Sequence, residues 1–184
     1  AGADVQVIDR RDFSHGGTRA ARAADARGEF LVFLSQDALP EGPDFLARLI
    51  EPFDDPGIAG TFARAAELDL PEAGTEPVVR RLDDRGLWSL SPTERVERIR
   101  FNNVASAIRA SVFESIPFPD IGFGEDFAWA ARALTAGHGI AFAPRAVALH
   151  AHRYACRQAY RRYREDALFH RLAHGGDFNF VFWQ

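Results

Sequence analysis

The chain has 184 residues, of which 26 are acidic and 22 basic, giving a formal net charge of -4, with 47% hydrophobic and 26% charged residues. This balance suits one globular domain with a buried core, excludes disordered and fibrous classes, and gives no overall positive field to attract nucleic acid. No apolar run approaches the roughly 20 residues of a membrane-spanning helix, and the start lacks the basic-then-apolar layout of a signal peptide. The only cysteine is Cys156, which has no partner for an internal disulfide, so a reducing, cytoplasmic setting is expected. With no Met and a first stretch of Ala1-Gly2-Ala3-Asp4, the sequence reads as a piece of a longer translation product.

In chain order, Val5 to Asp9 is a β-branched run that predicts a strand, and Phe13 to Thr18 a turn centred on Gly16-Gly17. Thr18 then caps a helix over Arg19 to Arg27, and Gly28 ends it. Glu29 to Leu34 is nearly all apolar, as in a central strand covered on both faces, and stops at the polar tip Ser35-Gln36-Asp37. Pro43 to Phe53 has helical spacing and Ile58 to Phe62 suits a strand. This alternation predicts an α/β fold, a mostly parallel sheet with helices on both faces, whose ligands sit beyond the carboxyl ends of the strands. Residues 64–100 read as a loop-rich excursion, followed by a strand over Asn103 to Ile108 and a helical turn at Ser111 to Ser115. Beyond the turn-rich Pro117 to Gly124, Glu125 to Ala136 is strongly helical. Ile140 to Leu149 predicts a last strand, and Tyr154 to His174 a long C-terminal helix bearing Arg157, Arg161, Arg162 and Arg164.

Four groups of residues could carry chemistry. Asp37, at the ligand-binding edge of the sheet, is either a carboxylate for a divalent cation or a turn or cap acid. The pair Glu125-Asp126 is either an acid complementing the dipole of its own helix or a proton acceptor facing a pocket, and Gly124 ahead of it favours close approach of a ligand. His150 and His152 are two residues apart, so on an extended strand both imidazoles share a face, a spacing that suits a metal, a solvent-facing pair or a helix cap alike. Ahead of them, His15, Gly16 and Arg19 surround a helix N-terminus, where backbone N–H groups and a guanidinium would accept a diphosphate.

In their order, these segments resemble the family 2 glycosyltransferases of GT-A (Rossmann-like) fold, and among them the bacterial rhamnosyltransferase-like group. Phe13-Ser14-His15-Gly16-Gly17-Thr18-Arg19 is similar to that group's F-x-H-G-x-T-R, Ala26 to Phe30 to its A-x-G-E-F, and Phe33 to Ala38 to its F-L-x-Q-D-A. Phe118-Pro119, Gly124-Glu125-Asp126 with Arg132, and Pro144 to His150 come next in the same order, so the likeness spans about residues 5–165.

The resemblance implies an inverting transferase that moves a sugar from a dTDP- or UDP-sugar donor to a hydroxyl of a glycan or lipid-linked acceptor, without nucleic acid, at the inner face of a membrane or free in the cytoplasm. It implies Mg2+ or Mn2+ on Asp37 and on His150 or His152. Asp126 is the implied base, with Glu125 positioning either the acceptor or Asp126 itself. His15, Gly16, Arg19, Gln36 and Asp37 are then donor contacts, while Asn103, Arg64 and Gly124 border the pocket. Ser35 replaces the usual first aspartate of a D-x-D-like motif, and Ala20 the usual Asn after the arginine. Members of the family begin with strands that hold the nucleoside, so residues 1–184 are expected to be one partial catalytic domain, truncated at its N-terminus. Two other functions fit the same residues: a degenerate domain that binds a sugar or nucleotide, or serves as an assembly surface through the aromatic tail from Phe178 to Trp183, and a metal-dependent hydrolase that activates water.

Overall fold

A computed structural model describes residues 5–66, 74–150 and 155–174. The chain runs through α1 (His15–Ala24), β1 (Phe30–Leu34), β2 (Leu39–Pro40), α2 (Phe45–Ile50), β3 (Ile58–Ala66) and β4 (Val78–Arg80). It continues with α3 (Pro92–Ile99), β5 (Ala105–Arg109), α4 (Ala110–Ser115), α5 (Glu125–Thr135), β6 (Gly139–Leu149) and α6 (Cys156–His174). The α/β class and the long C-terminal helix are those expected. Among the described residues no helix is long and apolar enough to cross a membrane.

The strands are ordered β1-β5-β3-β6-β2, with β4 also on β6. Only β3 and β6 pair in parallel among the described strands, and the other pairings are antiparallel. The expected mostly parallel sheet is therefore a mixed one. The physical reason lies in the return of the chain after α3: β5 inserts, inverted, between β1 and β3. Strands β1, β3 and β6 still run in one direction, which is what the alternation of strand and helix encodes; their adjacency is not encoded. Because β5 is inverted, its amino end lies at the same sheet edge as the carboxyl ends of β1 and β6.

Alternation along each strand divides the core in two. One face carries Leu31, Phe62, Ile108 and Ile140 against Phe113, Phe118, Trp129 and Leu134 from α4, α5 and the loop between them. The other face is lined by Ala63, Ala105, Ala107, Ala141, Ala143 and Ala148, small enough for Phe45, Leu49 and Phe53 to pack close to the sheet. Between Ala63 and Arg64 the β3–β6 register slips, so that Ala63 faces Ala143 and Arg64 faces Val147. The extra residues of β6 begin with Pro144, which lacks the N–H that a ladder needs, and such bulges bend a strand and re-aim its remaining residues.

Several expected elements differ. Val5 to Asp9 forms no strand; Val5 and Val7 are exposed, with no sheet surface to cover them. The first helix begins at His15, not Arg19: Ser14 is its N-cap, its hydroxyl accepting from Gly17 N–H, while Thr18 Oγ1 accepts from Ser14 N–H. The expected turn glycines are thus the first turn of α1. Strand β1 is not central among the described strands; it pairs on one side only, and Val32 and Leu34 are exposed. The excursion over residues 64–100 holds the end of β3, β4 and α3, the last opened by a capping box between Ser91 and Glu94. His152 and the segment Phe178 to Trp183 lie outside the described residues.

Trp129 is fully buried at the junction of α5 with the sheet, its indole N–H donating to Ile116 O at 2.8 Å. Trp129→Ala removes that volume and leaves the carbonyl without its donor, so we expect a loss of about 3–5 kcal/mol in unfolding free energy, read as a lower urea midpoint.

Candidate active site

The sheet edge where β1 and β6 end opens into a cleft of about 1150 Å³. Its floor is the ends of three strands: Ser35, Gln36 and Asp37 after β1, Asn103 before β5, and His150 after β6. The start of α5 (Gly124, Glu125, Asp126), the side chains of His15 and Arg19 on α1, and the inward face of α6 make its walls. Arg64 and Gly16, both expected at the site, do not line it. Arg64 sits within β3 on the far side of the register slip, and Gly16 is buried under Pro119, where a Cβ would come within 1.9 Å of the carbonyl oxygen. That glycine is required by the packing of α1.

Asp37 reaches His150 through a strand pair of two residues. Ala38 N–H turns back to Ser35 O, and the chain then lays Leu39 and Pro40 along the end of β6, with Leu39 opposite Leu149. Antiparallel pairing at that register carries the residues before Leu39 past the residues after Leu149. The outcome is His150 Nε2 at 3.5 Å from Asp37 Oδ1. A hard carboxylate oxygen and an imidazole nitrogen at that separation fit one divalent cation about 2.1 Å from each. Among the described residues no cluster of three or more such groups occurs, so a cation there would take these two as its ligands from the described residues. Ser35, in place of a further acid, uses its hydroxyl on Asn103 O at 3.5 Å and its N–H on Val104 O at 2.9 Å.

The second centre is built on Gly124, whose φ of 77° lies in the left-handed region and whose Cβ would come 2.5 Å from the Phe169 ring. Only glycine meets both demands, and it aims the first residues of α5 at the cleft. Asp126 is half-buried, with its two oxygens accepting from separate backbone donors: Oδ1 from Phe127 N–H at 2.8 Å and Oδ2 from Asn103 N–H at 3.1 Å. Burial, then the charge of neighbouring Glu125, push its pKa up from 3.8 to about 6, against the opposing pull of those N–H groups and of Arg19. Glu125, 4% exposed, is ion-paired with Arg19 and accepts from Asn103 Nδ2 at 3.2 Å. Ser106 Oγ in turn donates to Asn103 Oδ1 at 2.9 Å.

The inward face of α6 is an unexpected part of the site. Arg162, Asp166, Phe169 and His170 line the cleft, with Arg162 over the Phe123 ring at 4.6 Å and Phe169 edge-on to Phe127 at 5.5 Å. The helical spacing of 162, 166, 169 and 170 carries this face in the sequence, but the more numerous arginines of the helix mask it.

The O-antigen chain rhamnosyltransferase WbaN of Salmonella anatum is 32% identical to this chain over 178 residues, 91% of this chain and 55% of the relative. The O-antigen chain rhamnosyltransferase RfbN of Salmonella typhimurium is 32% identical over 176 residues, 89% of this chain and 54% of that protein. In sequence the chain is similar to rhamnosyltransferase-like glycosyltransferases. It spans about half the length of the curated relatives it matches. No family model matches. In fold, it is similar to the mannosyltransferase PcManGT of Pyrobaculum calidifontis, solved with GDP-Man and Mn2+, at a TM-score of 0.63 and 19% identity over 95% of this chain and 47% of that one. It is also similar to glucosyl-3-phosphoglycerate synthase of Mycobacterium tuberculosis, at a TM-score of 0.56 and 16% identity over 95% of this chain and 58% of the other. The architecture is that of the GT-A glycosyltransferases.

Because Asp126 holds its proton more tightly in the folded state than in the unfolded one, folded protein binds the extra proton between pH 3.8 and about 6, and stability falls as pH rises through that window. We expect the carboxyl carbon of Asp126 to titrate near pH 6 by NMR. The stability advantage of wild type over Asp126→Ala should shrink as the pH is raised across the same range.

Proposed function

We propose that this chain is part of the catalytic domain of an inverting glycosyltransferase that moves a sugar from a nucleoside-diphosphate donor to a hydroxyl of a glycan or lipid-linked acceptor, with a divalent cation. The observation that carries the reading is one cleft holding two unlike centres, a carboxylate with raised proton affinity and an acid–imidazole pair. The former suits proton removal near neutral pH and the latter a cation. The names of the relatives favour rhamnose as the sugar and an O-antigen chain as acceptor, and the sequence resemblance implies dTDP or UDP as the carrier. The Mn2+ in PcManGT favours Mn2+ or Mg2+ here, on Asp37 and His150.

In this mechanism the acceptor hydroxyl lies against Asp126, which takes its proton as the oxygen attacks the anomeric carbon. The bond from that carbon to the diphosphate breaks on the opposite face, so the new glycosidic bond has the inverted configuration. Asn103 N–H and Phe127 N–H hold the two Asp126 oxygens in place through the transfer. Asp37 and His150 would hold a divalent cation, which would supply positive charge to offset that of the departing diphosphate. His15 and Gln36 line the cleft near these groups and contact the donor.

In the full-length protein, Asp126→Asn should lower sugar transfer by about 10²–10⁴-fold while nucleotide binding persists. Asp37→Ala should abolish Mn-dependent binding of UDP or dTDP measured by calorimetry. Near-normal transfer by either variant defeats its assignment. Release of free sugar at the same rate with and without acceptor would identify a hydrolase instead.

A further inference from the structure

Arg19 stands at the position where the resemblance implies a donor contact, yet its guanidinium is spent elsewhere. It forms an ion pair with Glu125 in which the side chains are 17% and 6% exposed, it lies 3.5 Å from His15 Nδ1, and its charge also acts on Asp126. Glu125 leads through Asn103 to both sides of the site. The Asn103 amide holds Glu125 while its backbone N–H holds Asp126, and Ser106 fixes the amide from β5. Two further contacts lock α1 onto the start of α5 and the loop before it. Gly16 packs so close that a Cβ on it would strike Pro119 and lie 3.4 Å from Glu125 Cβ, and Ser14 Oγ and Asp120 Oδ1 are 3.1 Å apart. The base is thus held by a buried polar chain running from α1 through α5 to β5.

We propose that Arg19 is a positioning residue for Asp126, neutralising Glu125 so that the carboxylate beside it can stay fixed and ionised, and that it is not a contact of the donor diphosphate. A buried carboxylate next to another carboxylate is tolerable only with a matching cation. Without Arg19 the negative charge of Glu125 acts on Asp126 uncompensated, and Asp126 holds its proton to higher pH. The other charged groups around the cleft are Arg10 ahead of α1, His15 on α1, Asp37 and His150 at the strand ends, and Arg162, Asp166 and His170 on α6. Among the described residues Glu125 is paired with Arg19 and Asn103, so Arg19 is its matching cation.

This inference rests on Asp126 being the base, and the test separates the two. Initial rates of sugar transfer by the full-length protein are measured against pH and against donor concentration. For Arg19→Gln the acid limb of kcat should move up by about one pH unit, the low end of what one nearby charge does, while the donor KM changes by less than about twofold. Arg19→Lys, which keeps the charge, should leave the limb near that of wild type. Glu125→Gln should move it down, and Arg19→Gln with Glu125→Gln together should bring it back. A donor KM raised about tenfold or more with the limb unmoved would make Arg19 a diphosphate contact and overturn the inference. Loss of transfer in Asp126→Asn with an unmoved limb in Arg19→Gln sinks this inference alone, whereas retained transfer in Asp126→Asn sinks the reading beneath it. If Arg19→Gln does not fold, the direction of the Glu125→Gln shift decides.

Discussion

Glu125 is ionisable and buried on the first turn of a helix, and the structure around the cleft is organised by the need to match it. A carboxylate removed from water costs several kcal/mol unless a cation and hydrogen bonds replace its hydration. Arg19 supplies the charge and Asn103 a hydrogen bond, from elements far apart in sequence. Breaking such a pair from one side typically costs about 3–5 kcal/mol, so α1, α5 and the approach to β5 are committed to one arrangement. Asp126, the next residue, inherits that rigidity: its oxygens are held by main-chain groups of the same loop and helix.

The acid–imidazole pair is fixed by different means. Asp37 and His150 are neighbours because a two-residue strand runs along the end of β6, and β6 reaches that point only after the register slip at Pro144. The slip therefore decides where His150 arrives. One centre depends on buried charge matching and the other on strand register, and the two meet because β5 runs backwards and delivers Asn103 to the edge where β1 and β6 deliver Asp37 and His150.

Local signals are legible where one residue type forces one conformation. The apolar run ending at Asp37, the glycine before Glu125 and the strand ending at His150 mark the cleft edge, and Asp37, Asn103, Gly124, Glu125, Asp126 and His150 all line it. Features set by pairing at long range are illegible. Nothing in the segment from Ala105 to Arg109 encodes that it will lie inverted between β1 and β3. The Gly16-Gly17 pair looks like a turn because its helical role depends on Pro119, about a hundred residues later, excluding any side chain at Gly16. Ser14 is hidden as a cap for the same reason, since a cap is recognised only once the start of its helix is known.

Arg19 illustrates a wider point about reading a motif as a contact. An arginine near a glycine-rich helix start has two outlets for its charge, an anion that comes and goes or a carboxylate that stays. The sequence interval between Arg19 and Glu125 hides the second outlet completely. A guanidinium drawn into a buried pair is no longer available to grip a phosphate without exposing the acid it covers, so the two uses compete. In this fold the competition is resolved toward the acid by geometry, because Gly16 lets α1 settle against Pro119 and brings Arg19 over the first turn of α5.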